Sequence, residues 1–382
     1  MSEETGLGEP LANPPNANVD SIVFVHGLGG SRRGTWTSKE TAEIPKTTFW
    51  PEELLPKSCP TARILSFGYN SKFVSFFPNY RSKDPVAKET TIDNYSSSLL
   101  QDLFNLREKT NTPKDRPIIF IAHSLGGLVV ANAVAGDKGV NEEGKLIADN
   151  TFAILFLGTP FEGSKKAEWE SLGGRLKKII PGIKTDDLKD LKERSAKLQS
   201  INAALQTRVK ERDRTTPLYI ACCFEEFPTY VNKVDIGHIV TQESATFQNV
   251  DRVLPIPGNH DTMCKFAATY APGYDRVEGQ LVLWIKALES KATADKDQKV
   301  IFAFTMCRPN SNLFFQGGII MTLQNNVIEG VVAAKIEAPQ GEGHLEIVGR
   351  KNGPVIIFKD LNADDMAKVL PAATMDKPKQ TK

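Results

Sequence analysis

Several things are scarce in this chain of 382 residues. No run approaches 18 consecutive apolar residues, so no transmembrane helix is expected. An excess of charge is lacking too: 47 basic residues face 46 acidic ones, for a net charge of +1. That balance offers no electrostatic footprint for nucleic acid or an anionic membrane surface, and no nucleic-acid partner is expected. Cysteine is sparse, with Cys59, Cys222, Cys223, Cys264 and Cys307 and no C-x-x-C pair. An odd, scattered set argues against a disulfide framework and for a reducing compartment. The opening "MSEETGLGEPLANPPNANVD" lacks an apolar core segment. It reads as a disordered tail over 1–18 rather than a signal peptide. A cytoplasmic location is the expectation, with peripheral contact to an organelle membrane as its variant.

What is present is a soluble balance of 40% apolar and 24% charged residues, and a strong alternation of strands and helices. "SIVFVHG" (21–27), "ARILSFGYN" (62–70), "PIIFIAHS" (117–124), "FAILFLGTP" (152–160) and "TPLYIACCFEE" (216–226) read as strands buried on both faces. "DIGHIVTQESA" (235–245) reads as the next. Residues 92–109 carry Ile92, Tyr95, Leu99, Leu103 and Leu106 at helical spacing. Helices are also expected over 125–136 and 274–290. This pattern implies βαβ crossovers and a doubly wound, mostly parallel sheet within 19–291.

Residues 161–214 interrupt the alternation. Leu188, Leu191, Leu198, Ile201 and Leu205 stand there at helical spacing, which predicts a helical insertion, a lid, over one end of the sheet. Its lysines (Lys165, Lys166, Lys177, Lys178 and Lys184) read as a solvated helix face, with a membrane surface as the rival reading. After the polar linker "SKATADKDQ", apolar runs separated by Asn325-Asn326, "PQGEG" and "RKNG" predict a small antiparallel β unit over 298–370. Residues 371–382 read as a second disordered tail, and the sequence names no partner for the β unit.

The stretch "IIFIAHSLGG" (118–127) carries the chemistry. An apolar strand ends at Ala122-His123-Ser124-Leu125-Gly126, a small-x-Ser-x-Gly turn, and a small-residue helix follows. In an α/β-hydrolase such a strained strand-to-helix turn presents a serine nucleophile, and its neighbours are small because chains pass closely there. Ala122 replaces the usual first glycine. The helix N-terminus directs N–H groups at the reacting centre, so the Leu125 N–H is one oxyanion donor. The open loop "HGLGG" after the first long strand supplies the second, from Gly27 or Leu28. That loop lacks the lysine and spacing of a phosphate-binding loop.

A serine hydroxyl needs a base, and the chain has only five histidines. His26 lies in the oxyanion loop, and His123 adjoins the serine and is expected to point away. His238 falls within a predicted strand, and His344 in the β unit. His260, in a loop before a helix, fits the order serine, acid, histidine. The acid is expected at the end of "PLYIACCFEE", as Glu225 or Glu226, with Glu243 as a further alternative. Asp261 is read as a helix cap. Trp36, Trp50, Phe73, Phe76, Phe77 and Trp169 are read either as a hydrophobic mouth or as packing.

Residues 20–290 resemble a lipase-like group of α/β-hydrolase serine esterases. The group includes the PGAP-type inositol deacylases, the DUF676 proteins and the SERAC-type proteins, and its fungal members are the nearest in pattern. The resemblance rests on "IVFVHGLGG", "TW", "FWPEELLP", "ARILSFGYN", "IIFIAHSLGGLVV", "FLGTP", "FEEFPT", "ESA" and "NHDTMCKF" in this order. It implies a nucleophile at Ser124, a base at His260 and an acid at Glu225. It also implies hydrolysis of a hydrophobic acyl ester without metal or organic cofactor. Phe161-Glu162 depart from the group's usual histidine after "GTP". The competing expectation is a hydrolase-derived recognition or signalling module with little or no turnover.

Overall fold

The computed structural model describes residues 5–15, 21–40, 42, 44–71, 92–136, 141–161, 166–179, 191–212, 217–248 and 250–297, and strand segments between 299 and 359. Side chains are described up to residue 290, except at Ser21, 166–170 and 191–196. The chain divides into two units, Met1–Lys286 and Ala287–Lys382.

In chain order the first unit holds β1 (Gly6–Leu7), β2 (Ser21–Val25), α1 (Trp50–Glu53), α2 (Leu55–Ser58), β3 (Arg63–Gly68), α3 (Ile92–Lys109), β4 (Ile118–His123), α4 (Gly126–Ala135), α5 (Glu142–Asp149), β5 (Thr151–Leu157), α6 (Lys166–Ile179), α7 (Leu191–Glu211), β6 (Tyr219–Glu225), β7 (Tyr230–Val231), β8 (Val234–Asp235), α8 (Gln242–Ala245), β9 (Arg252–Ile256) and most of α9 (Tyr274–Asp297). Seven strands form one sheet in the order β1-β3-β2-β4-β5-β6-β9. All are parallel except β1, which runs antiparallel to β3. The inner strands are continuous apolar runs because helices cover both faces, and β3 and β4 are buried along their whole length.

Connectivity places the site. From β2 the chain steps sideways to β3, then crosses back to set β4 on the other side of β2. The loops after β2 and β4 therefore diverge from a topological switch point, where open α/β sheets form their crevices. Helix α3 buries Ile92, Tyr95, Leu99 and Leu103 as its spacing predicts, and Leu106 packs against the same core. Phe24, Trp36, Trp50 and Phe266 form an edge-to-face cluster elsewhere in the core, with Phe24–Trp36 centroids 4.9 Å apart. Trp36 and Trp50 are thus packing residues, not part of a mouth. The side chains of Phe73, Phe76, Phe77 and Trp169 lie outside the described residues.

Four expectations need correction. Residues 5–15 are not a loose tail. Gly6 and Leu7 pair with β3, and the Ile64 N–H donates to the Ala12 carbonyl at 2.9 Å. The open edge of β3 supplies that order, which composition cannot reveal. Residues 235–245 do not form the next strand of the sheet: Asp235 ends the short β8, Gly237 takes φ +76°, Thr241 caps α8, and the sheet instead ends with β9. The presumed linker is helical through Asp297, in keeping with its alanines and lysines. Finally, the insertion is not simply a cover over the sheet end. Helix α7 packs along α4 and buries Leu198, Ile201 and Leu205, so it serves as the crossover between β5 and β6.

No described helix is long and apolar enough to cross a membrane. Cys59, Cys222, Cys223 and Cys264 are buried, and Cys222, Cys223 and Cys264 are free thiols. Burial pushes those of Cys222 and Cys264 up to about 12, so they stay protonated and unreactive.

Among its described residues the second unit holds the end of α9 and strands that pair antiparallel. β10 (Lys299–Ala303) pairs with β12 (Gly318–Gln324), which pairs with β13 (Val327–Glu329). β11 (Phe314–Phe315), β14 (Val331–Ala338), β15 (Gly341–Val348) and β16 (Val355–Lys359) form a second sheet in that order. Asn325-Asn326, "RKNG" and 371–382 lie outside the described residues.

Candidate active site

Ser124 terminates β4 with φ +53°, a left-handed conformation rare for a residue with a side chain. Two bonds over-determine the turn: its N–H donates to Leu157 O at 2.8 Å, and its carbonyl accepts from Gly127 N at 3.0 Å. Glycines are required where chains meet. A Cβ on Gly126 would stand 2.1 Å from the His26 carbonyl oxygen, and one on Gly27 would stand 2.7 Å from Ser124 Cβ. We predict that Gly126→Ala lowers stability by about 3 kcal/mol, since backbone must move to admit the methyl. An unchanged urea midpoint would sink that account.

The turn brings Ser124 Oγ to 2.9 Å from His260 Nε2. Both side chains are buried. The other ring nitrogen, Nδ1, lies 3.5 Å from Glu225 Oε1, beyond normal hydrogen-bond length. Glu225 ends β6, is 2% exposed, and accepts a 2.6 Å hydrogen bond from Val240 N on Oε1. The remaining candidates lie elsewhere. Glu226 pairs with Arg276 at 3.3 Å, and Glu243 is exposed on α8. Asp261 pairs with Lys39 and Lys265 rather than capping a helix.

The loop after β2 lies against the serine. His26 is buried and stacked on Tyr69, with centroids 4.5 Å apart. Tyr69 N–H donates to its Nε2, so the proton sits on Nδ1, which donates to Gly27 O at 2.9 Å. Gly30 N–H donates to the same carbonyl. The peptide is planar and trans, so these bonds turn the Leu28 N–H to the opposite side. Burial pulls the His26 imidazole down to about 4. A cavity of about 370 Å³ opens here, lined by Leu28, Gly29, Ser124, Leu176, Ile179 and His260.

Three supports escaped the sequence reading. His123 does not simply turn away: its Nε2–H donates to the His260 carbonyl at 2.9 Å and so steadies the residue that meets Ser124. Burial, with a smaller contribution from His260, pulls His123 down to about 3. Gly158, at φ +58°, leaves room for the His260 ring, whose Cε1 would lie 3.1 Å from a Cβ there. The "FLGTP" pattern contained this signal. Val240 supplies the backbone donor of the Glu225 carboxylate, and no pattern marks it. Among the described residues no group of acidic, histidine or cysteine side chains could hold a metal ion.

The sheet order, the left-handed serine after β4, the buried carboxylate at the end of β6 and the histidine after β9 together decide the architecture. This is an α/β-hydrolase fold. No family model matches the chain. It is similar to the SERAC1 protein of Homo sapiens, at 28% identity over 254 residues, covering 64% of this chain and 36% of that protein. The SERAC1 protein of Danio rerio is likewise 28% identical over 255 residues, with the same coverage. The chain therefore spans well under half the length of these curated relatives. They are vertebrate proteins, so the likeness to fungal members gains no support from them. Among solved structures, a Bacillus licheniformis lipase is 18% identical with TM-score 0.44, over 72% of this chain and 96% of that one. An esterase from Rhizomucor miehei is 13% identical with TM-score 0.42, over 76% and 84%.

Proposed function

We propose that this protein is a serine hydrolase that cleaves a carboxylic ester of a hydrophobic acyl substrate through an acyl-enzyme. The observation that carries the reading is the 2.9 Å approach of Ser124 Oγ to His260 Nε2 on a left-handed turn. In this reading Ser124 attacks the ester carbonyl while His260 accepts the hydroxyl proton. The C–O bond to the alcohol then breaks, and His260 returns the proton to the departing oxygen. Water repeats the sequence on the acyl-enzyme and releases the acid. Glu225 orients the ring so that Nδ1 keeps its proton and Nε2 remains the acceptor. The Leu125 and Leu28 N–H groups hold the developing oxyanion, each worth about 10²–10³ in rate. Leu176 and Ile179 give the cavity an apolar wall suited to an acyl chain.

A fluorophosphonate probe tests this reading. The native protein is expected to be labelled, and Ser124→Ala and His260→Ala are expected to lose labelling. A folded native protein that resists the probe would overturn the hydrolase reading and favour a recognition module.

A further inference from the structure

Helix α6 contributes more than a wall. Its Leu176 and Ile179 line the cavity, and Leu172 and Leu176 are buried. Between those contacts Arg175 turns the other way, and its Nη1 donates a 2.6 Å hydrogen bond to the His238 carbonyl. Two residues on, Val240 N–H donates to Glu225 Oε1, also at 2.6 Å. The His238 ring is tied back through Nε2 to the Glu226 carbonyl at 3.3 Å. The segment 238–240 is thus gripped by α6 on one side and bonded to the carboxylate on the other. Glu225 Oε2 is buried without a hydrogen bond, so Val240 provides its only hydrogen bond among the described residues. Burial pulls the Arg175 guanidinium down, and the nearby Glu225 carboxylate pulls it partly back.

We propose that Arg175 is a positioning residue for Glu225. By holding the His238 carbonyl it sets the Val240 N–H against the carboxylate, so that seating α6 over the cavity and orienting the acid become one event. A substrate whose acyl group packs on Leu176 and Ile179 thereby also steadies the partner of His260. The inference deepens the hydrolase reading and rests on it for its effect on rate.

Two measurements on the full chain test it. The first is amide exchange at Val240, with Ile119–Ile121 in β4 as the control for global stability. Arg175→Met is expected to speed Val240 exchange and leave the control unchanged; Arg175→Lys, which keeps charge and donor, is expected to restore slow exchange. The second is the rate of fluorophosphonate labelling at saturating and subsaturating probe. Arg175→Met should lower the maximal rate about 10- to 100-fold, as a small misplacement does, with the half-saturating concentration unchanged. Arg175→Gln serves if the Met variant does not fold. Native-like Val240 exchange in a folded variant would overturn the proposal, as would a loss confined to probe affinity. Faster Val240 exchange in a chain whose native form resists labelling would uphold the coupling and defeat only the hydrolase reading.

Discussion

Glu225→Gln is expected to slow labelling and turnover by about 10⁴-fold, a loss typical of amide replacement at a triad acid, while Glu226→Gln and Glu243→Gln stay near native. The reasons are charge and tautomer together. Glu225 is buried beside His260 Nδ1 and already accepts from Val240 N. Oε1 faces both Val240 N and Nδ1, so a glutamine oxygen set there loses the negative charge that stabilises the imidazolium, and an NH₂ set there opposes the Val240 N–H and faces Nδ1. An NH₂ near Nδ1 favours the ring form with its proton on Nε2, which then faces Ser124 as a donor and cannot act as a base. Glu226 is held by Arg276 and Glu243 is exposed, so neither substitution alters the ring. Comparing labelling rates of the three variants checks this prediction. Native-rate labelling of Glu225→Gln would remove it from the mechanism.

Mild acid is expected to destabilise the first unit steeply. His26 and His123 are buried and neutral, pulled from 6.5 to about 4 and about 3. Both folded values lie below the unfolded one. The unfolded chain therefore takes up protons below pH 6.5, where the native ring still refuses them, and stability is lost as pH falls towards the folded values. At full extent the shifts correspond to about 3 and about 5 kcal/mol. That is a large share of the ~5–15 kcal/mol available to a domain. The geometry gives the same sign: protonating His26 Nε2 would set two donors against each other at Tyr69 N. Between pH 6 and 5, ordinary carboxylates remain mostly ionised in both states, so the two rings dominate. Urea unfolding should show a loss of about 2–3 kcal/mol over that interval. Equal midpoints at pH 6 and pH 5 would refute the account.

The sheet was legible where chemistry is local. "IVFV", "IIFIA" and "AILFL" are apolar runs that only a strand covered on both faces explains, and α3 announces itself by spacing. Other elements were illegible because a partner creates them. β1 is two residues long and exists because β3 has a free edge. "RVLPI" contains Pro255 and hides as a strand, whereas "DIGHIV" has the apolar content of one and a glycine turn in its midst. The same division runs through the site. Ser124 and His260 follow from a turn pattern and elimination. Val240, Arg175 and the His123 donor act through bonds to residues distant in sequence, and no spacing rule encodes such pairs.

The two margins of the sheet have a consequence for self-association. An exposed strand is a template for another copy of the chain. Along β3 the template is occupied, since Gly8 and Leu11 donate to Ser66 and Ile64 and Ala12 accepts from Ile64. At the far margin the Ile256 carbonyl turns inward, accepting from Glu226 N, so the neighbouring Pro255 turns its backbone outward. Pro255 has no N–H to give, and its carbonyl is taken by Arg276 Nη1. An incoming strand meets a filled ledge on one side and a blocked rung on the other. Addition of a strand from another copy is disfavoured at these positions.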